Sequence, residues 1–338
     1  MSDRTTDPME FTPPDTEVPD ITPEEVFEIL GNEIRMGILR ALWEAYDPLA
    51  EHNGVSFSDL YDAVNVDDSG QFSYHLDKLR GRYVTQTEQG YKLRPVGLKL
   101  VQSVIAGAGQ EGTFEPTAID IECPICGGET RLTYDGGRVY HVCTECGGHF
   151  QSEGYPEGTL WGKSFPPAGV AHRSPEELFA TLTFLDWPMS AKLTGNICPR
   201  CSGVLDQSLQ ICRDHEPRDD GPCPNCGYSE PIRAHWVCAV CKHHATGSVS
   251  GVVKNHPAVI SFFYEHGIDF GYPYSTNDFE TVRENEATKQ RITYEQELCG
   301  TDPTRICVTV SYDDDELVLT LDEQLNVVEL TRSEDSKR

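Results

Sequence analysis

Cysteine is the residue most able to do chemistry in this chain. There are 13, and ten form five C-x-x-C pairs: Cys123/Cys126, Cys143/Cys146, Cys198/Cys201, Cys223/Cys226 and Cys238/Cys241. A sixth pair has the same shape with one imidazole, Cys212-x2-His215. Two ligand side chains at this spacing can face one ion from a single turn. Extracellular chains use cysteine for disulfides, but no basic-then-apolar signal pattern opens this sequence. The expectation is therefore a cytoplasmic metalloprotein.

Residues 121–150 place sixteen residues between two knuckles, and Arg131–Tyr134, Asp135-Gly136-Gly137 and Val139–Val142 read as a hairpin between them. Glycine after each knuckle lets the chain turn tightly. Cys123, Cys126, Cys143 and Cys146 then form a zinc ribbon with four thiolates and no open position. A second cluster runs from 198 to 244. Sequential pairing gives one site of Cys198, Cys201, Cys212 and His215, and another of Cys223, Cys226, Cys238 and Cys241. A cross-braced arrangement, first pair with third and second with fourth, uses the same ligands. His235, His243 and His244 are fallback donors, and His141 and His149 are spare donors on the surface of the ribbon strands. Three structural Zn2+ ions per chain are expected.

Closed four-ligand sites stabilise small domains and leave no position for a reacting water. H-E-x-x-H, a phosphate-cradling P-loop and a G-x-S-x-G elbow are all absent, as is the complete H-x-E with P-C-x-x-C deaminase pair. The chain is expected not to be an enzyme.

Charge gives a second line of reasoning. Lys and Arg number 27 against 55 Asp and Glu, a net −28. That excludes a protein that coats nucleic acid or anionic membrane with its whole surface. No run approaches the ~20 apolar residues of a membrane helix. The acid is unevenly spread. Residues 1–68 hold 3 basic and 17 acidic residues (−14), and 276–338 hold 7 and 16 (−9). Residues 69–95 reverse the sign, with 5 basic against 2 acidic residues (+3).

Hydrophobic periodicity across 21–107 supplies a cause. Thr22 can cap a helix that starts at Pro23 and carries Val26, Phe27, Leu30, Ile34, Ile38, Leu39 and Leu42 at helical spacing. Ser56 or Ser58 opens a second helix with Leu60, Tyr61 and Val64 inward. Asp67, Asp68 and Ser69 offer caps for a third, through Phe72, His75, Leu76 and Leu79. Tyr83–Thr87 and Tyr91–Arg94 read as a hairpin, and Pro95 begins a closing helix. Together these make a winged helix-turn-helix. Its third helix can enter a DNA major groove with Ser69, Gln71, Phe72, Ser73, Tyr74 and His75, where Gln71 suits adenine. Lys78, Arg80 and Arg82 meet phosphates; Gln86, Thr87, Gln89, Lys92 and Arg94 lie on the wing. Two bland alternatives stand beside this: the basic residues as a solvated face, and His75 as part of the core.

The runs EILGNEIRMGILRAL, VSFSDLYDAV, SGQFSYHLDKLRGRYVTQTEQGYKL and PVGLKLVQSV resemble the ArsR-like winged-helix regulators. The similarity is greatest to the haloarchaeal branch, in which this domain precedes cysteine-rich modules. It covers residues 21–107, and the remainder resembles the cysteine-rich region of the same branch. The acidic, lysine-poor composition also resembles halophilic archaeal proteins. The resemblance implies a homodimer that binds double-stranded DNA. The thiol-rich sensing motif of some relatives is missing from the third helix, so metal sensing does not carry over.

The expected fold class is thus α+β and multidomain. Residues 1–20 read as a disordered acidic tail and 21–110 as the winged helix. A zinc ribbon follows at 118–155, a helical connector at 156–195 and a double zinc-knuckle module at 196–250. Residues 251–332 read as a helix plus an antiparallel β-meander. The connector carries one helix, SPEELFATLTFLDW, capped by Ser174. In the meander, Cys299 and Cys307 fall on adjacent strands, as buried inert thiols or a redox pair. The function expected is transcription regulation, with the C-terminal region serving dimerisation, effector response or contact with transcription machinery. The rival is a zinc-ribbon interaction adaptor without sequence-specific DNA binding.

Overall fold

The computed structural model describes residues 23–50, 52–107, 112–151, 153–219, 221–268 and 278–333. The expected tail at 1–20 and the Thr22 cap lie outside these. The chain is α+β and forms two compact units, residues 1–108 and 109–338.

In the first unit, helices α1 (Pro23–Leu30) and α2 (Glu33–Glu44) replace the single helix read from the apolar spacing. The break is local. Gly31 N–H closes α1 on the Phe27 carbonyl at 2.8 Å. Asn32 then turns extended, and its side chain accepts the Arg35 N–H at 3.1 Å as an N-cap. Ser56 caps α3 (Phe57–Val64), and Asp68 caps α4 (Ser69–Leu79) through the N–H groups of Gly70 and Gln71. Ile38, Leu39, Leu60, Phe72, Leu76 and Leu79 meet in one buried core. Strands β1 (Val84–Thr87) and β2 (Gly90–Leu93) pair antiparallel, leaving Glu88 and Gln89 in the turn. Val55 bonds Tyr91 in both directions and anchors the hairpin to the helices. Gly90 is required there: its φ is 117°, and a Cβ would strike the Val55 carbonyl. Helix α5 (Pro95–Ile105) closes the unit, with Gly97 against the Tyr83 backbone.

The second unit begins with a four-stranded antiparallel sheet in sequential order: β3 (Phe114–Ile119), β4 (Thr130–Asp135), β5 (Arg138–Cys143) and β6 (Thr159–Ser164). The expected helical connector at 156–195 is corrected at its start, because β6 pairs with β5 and buries Thr159 and Leu160. The short helix α6 (Pro167–Val170) follows, then α7 (Pro175–Phe184) and α8 (Asp186–Thr194) where one helix was expected. Pro188 lacks the N–H that would extend the α7 ladder. Ser174 and Glu177 form a reciprocal capping box on α7.

Strands β7 (Leu205–Ile211), β8 (Ile232–Cys238) and β9 (His244–Ser248) form a three-stranded sheet, followed by α9 (Val249–Val253) and α10 (Pro257–Glu265). Helix α11 (Phe279–Lys289) was not legible in the charged run TVRENEATK, since among its residues only Val282 is fully buried. The expected meander is present as β10 (Ile292–Thr301), β11 (Thr304–Tyr312), β12 (Asp315–Leu321) and β13 (Val327–Ser333). One core joins Trp236, Val249, Phe262, Val308 and Leu319, so segments 196–250 and 251–332 bury their apolar side chains together. A bulge between Leu298 and Gly300 sets Cys299 beside Cys307, and the two form a disulfide. The inert-thiol expectation is corrected accordingly.

Asn32→Ala removes the cap that separates α1 from α2. It should cost ~1 kcal/mol, read as a lower denaturation midpoint with unchanged m-value.

Candidate metal centres and basic helix face

Four knuckles share one local geometry. The residue after the second ligand adopts a left-handed conformation: Gly127 (φ 73°), Ser202 (60°), Gly227 (76°) and Lys242 (59°). Its N–H bonds back to the carbonyl of the first cysteine, at 2.9, 2.9, 2.7 and 3.1 Å respectively. Further N–H groups aim at the sulfurs, among them Ile125 at Cys123, Glu145 at Cys143 and Gly203 at Cys201. For Cys238, the bonded Cys241 N–H outweighs burial and, with the Val240 N–H, draws the thiol down to about 6. At Cys238 the knuckle N–H groups thus favour the thiolate, the ligand form.

Knuckle pairing produces three tetrads whose ligand atoms all lie within 4.8 Å of one another. Cys123, Cys126, Cys143 and Cys146 come together as expected, at the end of the β4–β5 hairpin where Thr130 faces Cys143. The second cluster follows neither the sequential nor the cross-braced pairing. Cys198 and Cys201 join Cys238 and Cys241, while Cys212 and His215 join Cys223 and Cys226. The pairing is nested because β7 and β8 run antiparallel. Register Leu205↔Cys238 at one end gathers the outer knuckles, and Ile211↔Ile232 at the other gathers the inner ones.

The distances suit a tetrahedral ion. Zn–S bonds of about 2.3 Å require S–S edges of about 3.8 Å, and Zn–N bonds of about 2.0 Å give S–N edges of about 3.5 Å. Observed edges are Cys123–Cys146 3.7 Å, Cys126–Cys143 3.6 Å, Cys198–Cys241 3.6 Å and Cys201–Cys238 3.5 Å. Cys226 Sγ lies 3.5 Å from His215 Nδ1. His215 Nε2 faces the Ser229 carbonyl at 3.1 Å. Donation of Nε2–H to that oxygen leaves the Nδ1 lone pair directed at the tetrad, the usual outer-shell support of a ligating histidine. Ser229 carries no sequence signal for this role.

The fallback donors stay outside. His235 bonds Gln210 and Thr246, and no tetrad includes it, His243 or His244. His141 is not on the surface: it is buried against Trp161 and Phe179, and burial, with Lys163 nearby, pushes it down to about 3. His149 bonds Ser229.

In the first unit, Ser69, Gln71, Tyr74, Lys78 and Arg80 are exposed along α4, and Ser73 is half-buried. Gln86, Gln89, Lys92 and Arg94 are exposed on the hairpin, with Arg82 and Thr87 half-buried. Lys78 lies 5.5 Å from the Tyr74 ring centroid, and Arg80 pairs with Asp77 across a solvated 2.8 Å contact. Two expected contact residues are corrected. Phe72 is fully buried against Phe57 and Tyr61. His75 is only 7% exposed and faces Arg35, whose Nη1 lies 3.3 Å from its Nδ1. Arg35 also donates to the Glu28 and Ile29 carbonyls, so it ties the end of α1 to α4. Nothing in the sequence marked that tie.

The chain is thus an α+β protein with three four-ligand clusters in one unit, two of four cysteines and one of three cysteines and a histidine, and a basic helix–hairpin face in the other. It belongs to the DUF7351 family, a domain of unknown function matched over residues 120–327. A second domain of unknown function, DUF7347, matches residues 23–104. No curated protein and no solved structure matches the chain. Among the described residues, no helix is long and apolar enough to cross a membrane.

The double variant Cys198→Ser/Cys241→Ser touches one tetrad under nested pairing and two under sequential or cross-braced pairing. Metal quantification after gel filtration should fall from three ions per chain to two, and a fall to one would refute the nested pairing.

Burial, followed by the Arg35 charge, holds His75 below its ordinary value. The unfolded chain therefore protonates first, near pH 6.5, and stability falls as pH drops below that. Exchange protection of α4 amides should decrease between pH 7 and 5.5, by at most about tenfold per pH unit from this one group. His75→Gln should flatten that decrease.

Proposed function

We propose that this protein is a sequence-specific, double-stranded-DNA-binding transcriptional regulator. Its first unit acts as a winged helix-turn-helix, with α4 as the recognition helix and the β1–β2 hairpin as the wing. The observation that carries this is the exposed row Gln71, Tyr74 and Lys78 at helical spacing on α4, with Ser69 exposed in its first turn and Arg80 at its end, in a unit that turns Lys92 and Arg94 outward on the hairpin. A helix presented this way fits a major groove, with amide and hydroxyl groups at base edges and cations at phosphates. The resemblance of residues 21–107 to haloarchaeal ArsR-like regulators supports the same function and a homodimer.

Zinc is the metal we assign to the three tetrads. Sets of four cysteines, or of three cysteines and one histidine, at tetrahedral-edge spacing are its preferred structural environments, and the knuckle pairs then form zinc ribbons. Four protein ligands leave no site for substrate, so the ions act in folding rather than in catalysis. The second unit would serve dimerisation or contact with transcription machinery. The exposed Val204 and Val240 beside the outer all-cysteine knuckles favour a protein-contact role for that end, which is also what an adaptor without DNA specificity would use.

Binding to selected duplexes should weaken with salt, with a slope of about −0.9 per phosphate neutralised. Lys92→Ala and Arg94→Ala should each reduce that slope by about 0.9 and weaken all sequences alike. Gln71→Ala should cost ~1–3 kcal/mol at one base pair only. An absence of sequence preference in a duplex selection, by folded protein carrying its metal, would leave the adaptor as the better account.

A further inference from the structure

The second unit contains a cavity of about 480 Å3 between the edge strand β3 and the α6–α7 corner. This is within the ~300–1,000 Å3 range of small-molecule sites. Its walls are mainly apolar and include Phe114, Tyr134, Val170, Pro175 and Leu178. The Phe114 and Tyr134 rings stack with centroids 6.1 Å apart and 12° between planes. The Tyr134 hydroxyl donates to the Phe165 carbonyl at 3.0 Å, so its polar end is already engaged in the core. A β-bulge between Phe114 and Thr117 interrupts the pairing of β3 with β4 on this side.

One charged side chain lines this cavity, Arg173. Its Nη1 donates to the Gly169 carbonyl at 2.7 Å, and its guanidinium lies 5.8 Å from the Phe165 ring centroid. Neither contact neutralises it. Carboxylates outnumber cations two to one in this chain, 55 to 27, yet Arg173 makes no ion pair among the described residues. The nearest acids in sequence are committed elsewhere: Glu177 accepts the Ser174 N–H at 2.9 Å, and Glu176 accepts the Ser174 hydroxyl at 2.8 Å.

We propose that this cavity binds a small organic monocarboxylate with an apolar or aromatic body, its carboxylate on Arg173 and its body between Phe114, Tyr134, Val170 and Leu178. A guanidinium offers several N–H donors in a planar fork that matches a carboxylate. The scarcity of other polar groups, only Thr113 and Thr117 among the lining side chains, excludes sugars and polyphosphates, which need many hydrogen-bond partners. The ligand site stands on the second unit alone, so its failure and that of the DNA-binding proposal are read separately.

Calorimetric titration of the full, metal-loaded chain tests it, with octanoate and 4-phenylbutyrate as probes and 4-phenylbutyramide as the neutral control. At least one acid should bind, with 4-phenylbutyramide at least tenfold weaker than 4-phenylbutyrate if the aromatic acid is the binder. Arg173→Gln should reduce acid binding at least tenfold. Ala171→Trp, at an exposed lining position, should abolish binding while metal content and melting temperature stay unchanged. The proposal is overturned if neither acid binds at millimolar concentration, if acid and amide bind equally, or if both variants bind like the parent.

Discussion

Repulsion among packed thiolates is the constraint on which the second unit depends. Each tetrad brings three or four sulfurs within 4.8 Å of one another, a distance at which like charges cannot all persist without a dication between them. The knuckle N–H groups favour the ionised sulfurs locally, yet they cannot cancel the mutual repulsion. A bound metal ion removes it, and its binding energy becomes folding energy because no tetrad is drawn from a single turn. The outer all-cysteine set spans residues 198 to 241, so one ion there would fix the Leu205–Cys238 end of the β7–β8 pair, and a second in the inner set would fix the Ile211–Ile232 end.

The nested arrangement also explains how the inner tetrad is held against the first sheet. Phe150 and Tyr228 form a backbone bridge, and Gln151 N–H bonds the Gly227 carbonyl at 2.9 Å. Arg233, only 5% exposed, lies 3.8 Å from the Tyr228 ring centroid and 5.0 Å from that of Phe150. A buried guanidinium needs compensation, and burial indeed pulls its pKa below the ordinary value. The aromatic faces supply part of the compensation. Cys226 is among the groups that act in the opposite direction, favouring the charged arginine. Three thiolates around a dication would leave a net negative centre, so a metal-loaded tetrad and the arginine would stabilise one another.

Much of this was legible because it is local. The knuckles, the β4–β5 hairpin, the capping sets Ser56/Ser58 and Asp67/Asp68/Ser69, the Ser174 cap, and the alternating strands of β10–β13 all follow from residues a few positions apart. The departures share a different cause: they depend on contacts distant in sequence or on competition between neighbours. Asn32 interrupts an apolar pattern that by itself runs on into one helix. Strand β6, TLWGKS, shows no apolar–polar alternation and carries Gly162, and α11 is too polar. The nesting of the knuckles was implicit in LDQSLQI and IRAHWVC, two strands that flank the inner pairs, yet spacing alone favoured neighbours. Phe72 and His75 sit on the inner side of the correct helix, where their spacing with Leu76 and Leu79 already pointed, and the packing of Phe57, Tyr61 and Arg35 takes them out of the groove-facing set.

That inner side bears on the proposed DNA face. Helix α4 presents its outer polar row at an angle fixed by what its inner side grips: Phe72 in an aromatic cluster and His75 against Arg35. Arg35 is one of only 3 basic residues in the strongly acidic stretch 1–68, and its guanidinium is directed inward to the α1 carbonyls and α4 rather than to surface carboxylates. The two charge patterns are therefore complementary. If the proposed face binds DNA, acid on the remaining surface would repel phosphate from wrong orientations, while the +3 stretch keeps its exposed cations on the helix and hairpin. In a saline cell, screening shortens both effects to a few ångströms. Discrimination would then fall to Gln71 and its hydroxyl neighbours at contact range, which makes the rigidity of the α1–α4 tie matter more than the net charge.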